Sequence, residues 1–159
     1  MLDGKILLLL CAVNGAPILL QKWLDRRGNW PVDGGRLWAD GRPWLGPSKT
    51  WRGVAGALLL GGLTAAALGM GAGTGLVAGG LAMLGDLLSS FVKRRLGIAS
   101  SGMALGLDQI PESLLPLLWL QGQGLVGEGE LFGLVAAFLL LELLLSRLLY
   151  WLHIRRQPY

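Results

Sequence analysis

Four apolar stretches of bilayer-crossing length, with a fifth that is weaker, leave this chain few folds to adopt. Residues Lys5–Leu24, Val54–Ala72, Thr74–Val92 and Leu131–Leu152 each approach the roughly 20 residues that cover about 30 Å of hydrocarbon as a helix. Ile110–Val126 is interrupted by Glu112 and Pro116 and diluted by Gln121 and Gln123, yet omitting it would create a long apolar loop. Backbone polar groups in lipid must be satisfied internally, which selects helices. The composition agrees: 53% of the 159 residues are hydrophobic and 15% charged, where soluble domains carry about a quarter charged. The 26 glycines suit close helix packing in lipid. The expected architecture is all-α, a polytopic membrane bundle of five transmembrane helices forming a single domain over 1–159. Asn14 with Pro17 is expected to break the first span, as Pro116 breaks the fourth.

Cations set the orientation. Lys22, Arg26, Arg27, Arg36, Arg42, Lys49 and Arg52 fill the first loop, Lys93, Arg94 and Arg95 form the next cluster, and Arg155 and Arg156 the last. Segments 70–75 and 121–130 contain no Lys or Arg. Basic loops stay cytoplasmic, so five spans place the N-terminus outside and the C-terminus in the cytoplasm, with cytoplasmic loops 25–52 and 93–109. The location expected is the cell (inner) membrane. Trp23, Trp30, Trp38, Trp44 and Trp51 lie in or beside the first loop and read as interfacial anchors rather than base-stacking platforms. The net charge of +4 follows from topology and anionic lipid, and no nucleic-acid partner is expected. Cys11 is alone, so no internal disulfide forms. Leu2 to Ala16 reads as a retained helix, because Asp3 offsets Lys5 and the apolar run continues past Pro17.

One carboxylate lies within an otherwise uncharged run. Asp86, Ser89, Ser90 and Lys93 fall at i, i+3, i+4 and i+7, a single helical stripe. A carboxylate near a bilayer centre costs roughly 2.5–3.5 kcal/mol on insertion scales, so such residues usually serve a site. The stripe points to a polar cavity for a cation or a phosphate.

The flanking loops carry matching chemistry. Gly46-Pro-Ser-Lys49-Thr50-Trp51-Arg52-Gly53 combines backbone N–H groups at a helix start with an ammonium and a hydroxyl, the ingredients of a phosphate site. It is not a P-loop, since Ser48 rather than glycine precedes Lys49. Composition alone weighs this evenly against a Pro/Gly turn with snorkelling cations. Beyond Lys93-Arg94-Arg95 come Asp108, Gln109 and Glu112. Carboxylates bracketing cations are what Mg²⁺-assisted chemistry on a nucleoside triphosphate requires. The plainer alternative pairs Asp86 with Lys93 structurally and makes Asp108 a helix cap.

Taken in order, these strings resemble the CTP-dependent lipid cytidylyltransferases, most closely the CDP-archaeol synthase family. The resemblance rests on Asn14 with Pro17, Gly46-x-x-Lys49-Thr50-Trp51-Arg52-Gly53, Gly85-Asp86 followed by Ser90-Phe91-x-Lys93-Arg94-Arg95-x-Gly97, and Asp108-Gln109. It implies transfer of CMP from CTP to a membrane lipid phosphate, phosphatidate or an ether-lipid phosphate, releasing pyrophosphate. Implied roles are catalytic for Asp86, Lys93 and Asp108, with Mg²⁺ on Asp86 and Asp108. Asn14, Lys49, Thr50, Arg52, Ser90, Arg94, Arg95 and Gln109 would bind substrates. The archaeal-type pattern places a second acid at the Pro111 position; here Glu112 stands beside it, turned about 100° away on a helix. The Lys-Asp-Ser-Gly and His-Gly-Gly elements of the phosphatidate enzymes are missing, leaving Ser101-Gly102 as a remnant. A homodimer is compatible with these features but not required by them.

Two rivals remain in view. Asp33-Gly34-Gly35-Arg36 faintly resembles a string of the CDP-alcohol phosphotransferases, without their Ala-Arg pair or later aspartates. A transporter or scaffold would use Asn14, Asp86 and Glu142 as a cation path, although Glu142 lies five residues before Arg147 and has a plainer partner there.

Overall fold

The computed structural model describes residues 3–24, 27–100 and 102–153. Arg26, Ser101, Arg155, Arg156 and Leu2, all used above, lie outside the described residues. Five helices follow one another: α1 Gly4–Leu24, α2 Trp51–Ala67, α3 Ala72–Arg95, α4 Gln109–Gly122 and α5 Leu131–Trp151. Among the described residues there is no β-strand, only isolated bridges Pro31–Thr50 and Leu37–Pro43. Helices α1, α3 and α5 are long and apolar enough to cross a membrane; α2 is apolar but shorter.

The helix limits differ from expectation in physically readable ways. Pro17 and Pro116 sit inside continuous helices, so neither the first nor the fourth span is broken; neighbouring helices compensate for the missing N–H of an intramembrane proline. Helix α4, 14 residues long, stops before the glycine-rich segment that follows Gln123. Helix α2 starts three residues earlier than expected because Thr50 caps it, its Oγ1 accepting from the Gly53 N–H at 3.2 Å. Lys93, Arg94 and Arg95 belong to the last turn of α3 rather than to a loop, where cations complement the helix C-terminus.

Helix α1 divides the core. Ile6 and Leu10 pack with Leu117, Leu120, Leu134 and Phe138 of α4 and α5. Leu9 and Val13 pack with Ala57, Ala65, Ala78, Ala82 and Met83 of α2 and α3. Small residues bring backbones together. A Cβ at Gly61 would come within 2.7 Å of the Gly75 carbonyl oxygen, and one at Gly79 within 2.9 Å of the Ala57 carbonyl oxygen. At Gly85 a Cβ would fall onto the Pro111 carbonyl, so α3 and α4 touch backbone to backbone there. Leu59, Leu63, Phe132, Leu140 and Leu144 point outward, as lipid-facing side chains do.

Candidate active site

The loop between α1 and α2 folds onto the end of α3. Asp33 organises it: Oδ1 accepts from the Gly35 N–H at 2.9 Å, and Oδ2 accepts from Leu45 and Gly46 at 3.0 and 2.9 Å. Burial opposes the charged form, but these backbone donors outweigh it and hold the Asp33 carboxyl below its ordinary range. The faint phosphotransferase-like string around Asp33 is therefore a loop-closing turn. Backbone bonds from Val32 to the Lys49 carbonyl (2.8 Å) and from Trp51 to the Trp30 carbonyl (3.0 Å) close the loop at its base.

Arg95 clamps this loop to α3. Its guanidinium pairs with Asp40 at 2.8 Å, donates to the Arg42 and Pro43 carbonyls, and lies 5.1 Å from the Phe91 ring centroid and 5.8 Å from that of Trp38. Trp38 and Trp44 stack edge-on at 4.7 Å, and Trp38 meets Phe91 at 5.3 Å. Two of the five tryptophans read as anchors are thus parts of a tertiary contact, while Trp23 and Trp30 stay largely exposed. Arg42 returns the clamp, donating to the Arg95 and Arg94 carbonyls at the end of α3 at 2.7 and 3.3 Å.

The loop delivers Lys49 to Asp86. The ammonium lies 2.5 and 2.6 Å from the two carboxylate oxygens, with the side chains 21% and 16% exposed. Burial alone would lower the Lys49 pKa; Asp86 outweighs it, helped by Glu112 and Asp108, and the ammonium is held above its ordinary range. Pro17, Ser48, Thr50, Gly53, Val54, Met83 and Leu87 complete a cavity of about 50 Å³ around the pair. Glu112, on the first turn of α4 and buried, lies within hydrogen-bonding reach of the Asp86 carboxylate. Helical spacing suggested that it turned away; the α3–α4 contact at Gly85 brings it in.

A second pair sits alongside. Lys93 lies 2.6 Å from Asp108 and donates to the Gly102 carbonyl at 3.1 Å; the other Asp108 oxygen accepts from the Ala104 N–H. The charge of Lys93 also acts on Asp86. The two ion pairs are thus electrostatic neighbours, each aspartate with its own lysine. The sequence-derived alternative of an Asp86–Lys93 pair is not the arrangement found.

Of the remaining expected site residues, some adjoin this cluster and others do not. Arg94 is buried, donates to the Ala99 carbonyl at 2.8 Å and approaches Gly46. Ser90 Oγ is buried and without a hydrogen-bond partner among the described residues, whereas Ser89 donates to the Asp86 carbonyl. Thr50 caps α2 at the cavity wall. Asn14 donates to the Leu10 carbonyl of its own helix. Arg52 turns to the Arg27 carbonyl and Asn29 in the first loop. Gln109 accepts from the Gly106 N–H and shapes the start of α4. Sequence reasoning missed the scaffold of Asp33, Asp40 and Arg42; Asp33 before two glycines was its one local signal. Among the described residues no three acidic, histidine or cysteine side chains converge as a metal cage.

No protein-family model matches the chain. It is 42% identical to the CDP-archaeol synthase of Hyperthermus butylicus over 121 residues, covering 72% of this chain and 69% of that protein. It is 37% identical to the CDP-archaeol synthase of Thermococcus kodakarensis, where the match covers 61% of this chain and 60% of the relative. A solved structure described as an intramembrane enzyme for archaeal membrane lipids biosynthesis superposes with a TM-score of 0.72 at 32% identity, covering 89% of this chain and 90% of that one. With three long apolar helices, these likenesses identify an integral membrane protein.

Proposed function

The chain belongs to the CDP-archaeol synthase family, and on that premise we propose that it transfers CMP from CTP to a lipid phosphate monoester in membrane-lipid biosynthesis. The products are a CDP-activated lipid and pyrophosphate. The observation that carries the reading is the junction of three separated strings at one place: Lys49 from the first loop, Asp86 from α3, and Asp108 with Glu112 at the start of α4.

In the reaction an oxygen of the lipid phosphate attacks the α-phosphorus of CTP, the bond to the bridging oxygen of the β-phosphate breaks, and pyrophosphate leaves. A phosphate monoester is largely ionised near neutrality, so no general base is needed; positioning and charge neutralisation supply most of the effect. Lys49 and Lys93, each now held by a carboxylate, are the cations within reach of an incoming triphosphate, with Arg94 beside them. Thr50 and the backbone at the start of α2 add donors. Arg95, Arg42 and Asp33 act one layer back, holding the Lys49 loop on α3. Gln109 shapes the turn that carries Asp108.

The donor set fits Mg²⁺, which usually takes one or two protein carboxylates and completes its shell with substrate phosphates and water. Asp86 offers hard oxygens in the cavity, with Asp108 and Glu112 nearby. When bound, the ion would neutralise the triphosphate and polarise the reacting phosphorus.

We place five spans in the membrane, α2 and α4 being short ones, with the N-terminus outside. Basic residues then gather with the 27–50 and 96–108 loops on the cytoplasmic side, where soluble CTP and the inner leaflet meet. The test is the purified protein with labelled CTP, Mg²⁺ and a panel of ester- and ether-linked lipid phosphates. Formation of CDP-lipid with equimolar pyrophosphate is expected; no product with any lipid would overturn the proposal.

A further inference from the structure

We infer that the Lys49 ammonium is a built-in counter-cation for Asp86, competing with a divalent ion for the carboxylate and yielding it when a triphosphate arrives to receive the ammonium. The inference rests on the cytidylyltransferase reading of the site and adds how the carboxylate is held before nucleotide binds.

One ammonium takes both oxygens of Asp86, at 2.5 and 2.6 Å. A hard divalent ion needs at least one of the same oxygens, and two cations repel strongly at that separation. Occupation by the lysine and occupation by the ion are therefore alternatives. The lysine is tethered to the fold, so its effective concentration at the carboxylate is high.

Lys49 is free to turn in a way that Lys93 is not. Lys93 spans two anchors, Asp108 at 2.6 Å and the Gly102 carbonyl at 3.1 Å, with its side chain 8% exposed. Among the described residues the Lys49 ammonium donates to Asp86 alone, and its side chain is 21% exposed. The Lys49 backbone is fixed on both sides: its N–H donates to the Gly46 carbonyl, its carbonyl accepts from Val32, and Thr50 caps α2 directly after it. The ammonium can therefore swing on its flexible four-carbon stem without unfolding the loop. The cavity of about 50 Å³, with Ser48 and Thr50 in its wall, leaves room for a group the size of a water.

The ammonium cannot leave unaided. Glu112 attracts it, but the Glu112 carboxyl is hydrogen-bonded to Asp86. Away from Asp86 the ammonium would stay largely buried with its ion pair broken, which is strongly unfavourable. A triphosphate offers it phosphate oxygens and removes that obstacle. Divalent ion and nucleotide then bind with positive coupling through this one side chain.

The experiment is Mn²⁺ uptake by the full-length protein in nanodiscs of zwitterionic lipid, read from the free-ion EPR signal, first without nucleotide. K49M is expected to bind Mn²⁺ at least ~10-fold more tightly than the unaltered protein. K49R, whose guanidinium keeps the carboxylate occupied, should show no gain. R52M removes an equal charge that is directed at the Arg27 carbonyl and Asn29 instead, and its gain should stay within about threefold. Addition of α,β-methylene CTP, with the Mn²⁺–nucleotide complex in solution subtracted, should raise uptake by a larger factor in the unaltered protein than in K49M. No gain in K49M, or an equal gain in R52M, overturns the inference. K49Q decides by the same measure should K49M fail to fold. CDP-lipid formation by the unaltered protein tests the parent reading separately. Product without a Mn²⁺ gain in K49M overturns this inference alone, whereas no product from any lipid phosphate sinks the cytidylyltransferase reading and this inference with it.

Discussion

Lys49 Nζ lies 2.5 and 2.6 Å from the two carboxylate oxygens of Asp86, 37 residues further along the chain. The pair joins a loop that arrives from outside the helices to the polar interior of α3, so the fold of the loop and the proposed site depend on the same two groups.

Removing one member should therefore cost more than removing both. Lys49→Met strands a largely buried carboxylate, a loss of about 3 kcal/mol or more, and Asp86→Asn strands the ammonium similarly. The double variant should regain much of that stability in thermal unfolding of the solubilised protein. All three should lose CDP-lipid formation by at least ~100-fold, since neither charge is restored at the site. A double variant whose loss equals the sum of the two single losses would show that the pair carries no coupling energy.

Gly85→Ala tests the backbone contact that aligns α3 with α4. The added Cβ meets the Pro111 carbonyl, so the helices must separate, with an expected loss of about 1–3 kcal/mol. Activity should fall further than stability alone predicts, because Asp86 and Glu112 move apart. Gly73→Ala, whose Cβ would meet nothing within 4 Å, is the control and should leave both measurements near their starting values.

The clamp can be released without touching the cluster. Arg95→Ala removes the contacts to Asp40, Trp38, Phe91 and two carbonyls. A loss of about 1–2 kcal/mol is expected from these partly exposed contacts. Tryptophan emission should shift to longer wavelength as Trp38 and Trp44 leave Phe91. KM for CTP should rise more than kcat falls, since the loop carries Lys49 but not the acids. Unchanged emission would mean that the loop is held by other bonds.

Acid should loosen the same loop through Asp33. Its carboxyl is held below the ordinary range by the Gly35, Leu45 and Gly46 N–H groups. The stabilisation is therefore present above the ordinary aspartate range and lost as pH falls through the depressed value. Tryptophan emission recorded on acidification should show that transition in the unaltered protein, and Asp33→Asn should flatten it. Persistence of the full transition in Asp33→Asn would assign it to another carboxylate.

The segment between α4 and α5 should be indifferent to the chemistry. Neutralising Glu128 and Glu130 together is expected to leave turnover within about twofold, the usual reach of surface substitutions. A large loss of product would argue against the proposed orientation.

How far these features were visible beforehand varied with their range along the chain. Helix existence followed from apolar length, whereas the start of α2 at the Thr50 cap, three residues before the expected span, was not read from the sequence. Family membership followed from strings such as Gly85-Asp86 and Lys49-Thr50-Trp51-Arg52, which are contiguous. Errors arose where a local rule met a neighbour. Pro17 and Pro116 looked like breaks, yet surrounding helices let both helices run on. Trp38 and Trp44, read as interface anchors, also contact Phe91 within the fold, a pairing that no local pattern announced. Glu112 looked misdirected because its direction was judged by one helical step from the Pro111 position, where the family pattern places the acid.

By itself the linear pattern determined the all-helical architecture, the order of five elements and the residues available for charge. Those properties depend on composition and on periods within a few residues. Which lysine meets which aspartate, and that Glu112 joins Asp86, was decided by tertiary structure. Such pairings depend on how closely two helices approach and how each is rotated toward the other. Backbone contacts such as Gly85 on Pro111 and Gly61 on Gly75 set both quantities, and they form only when distant segments pack.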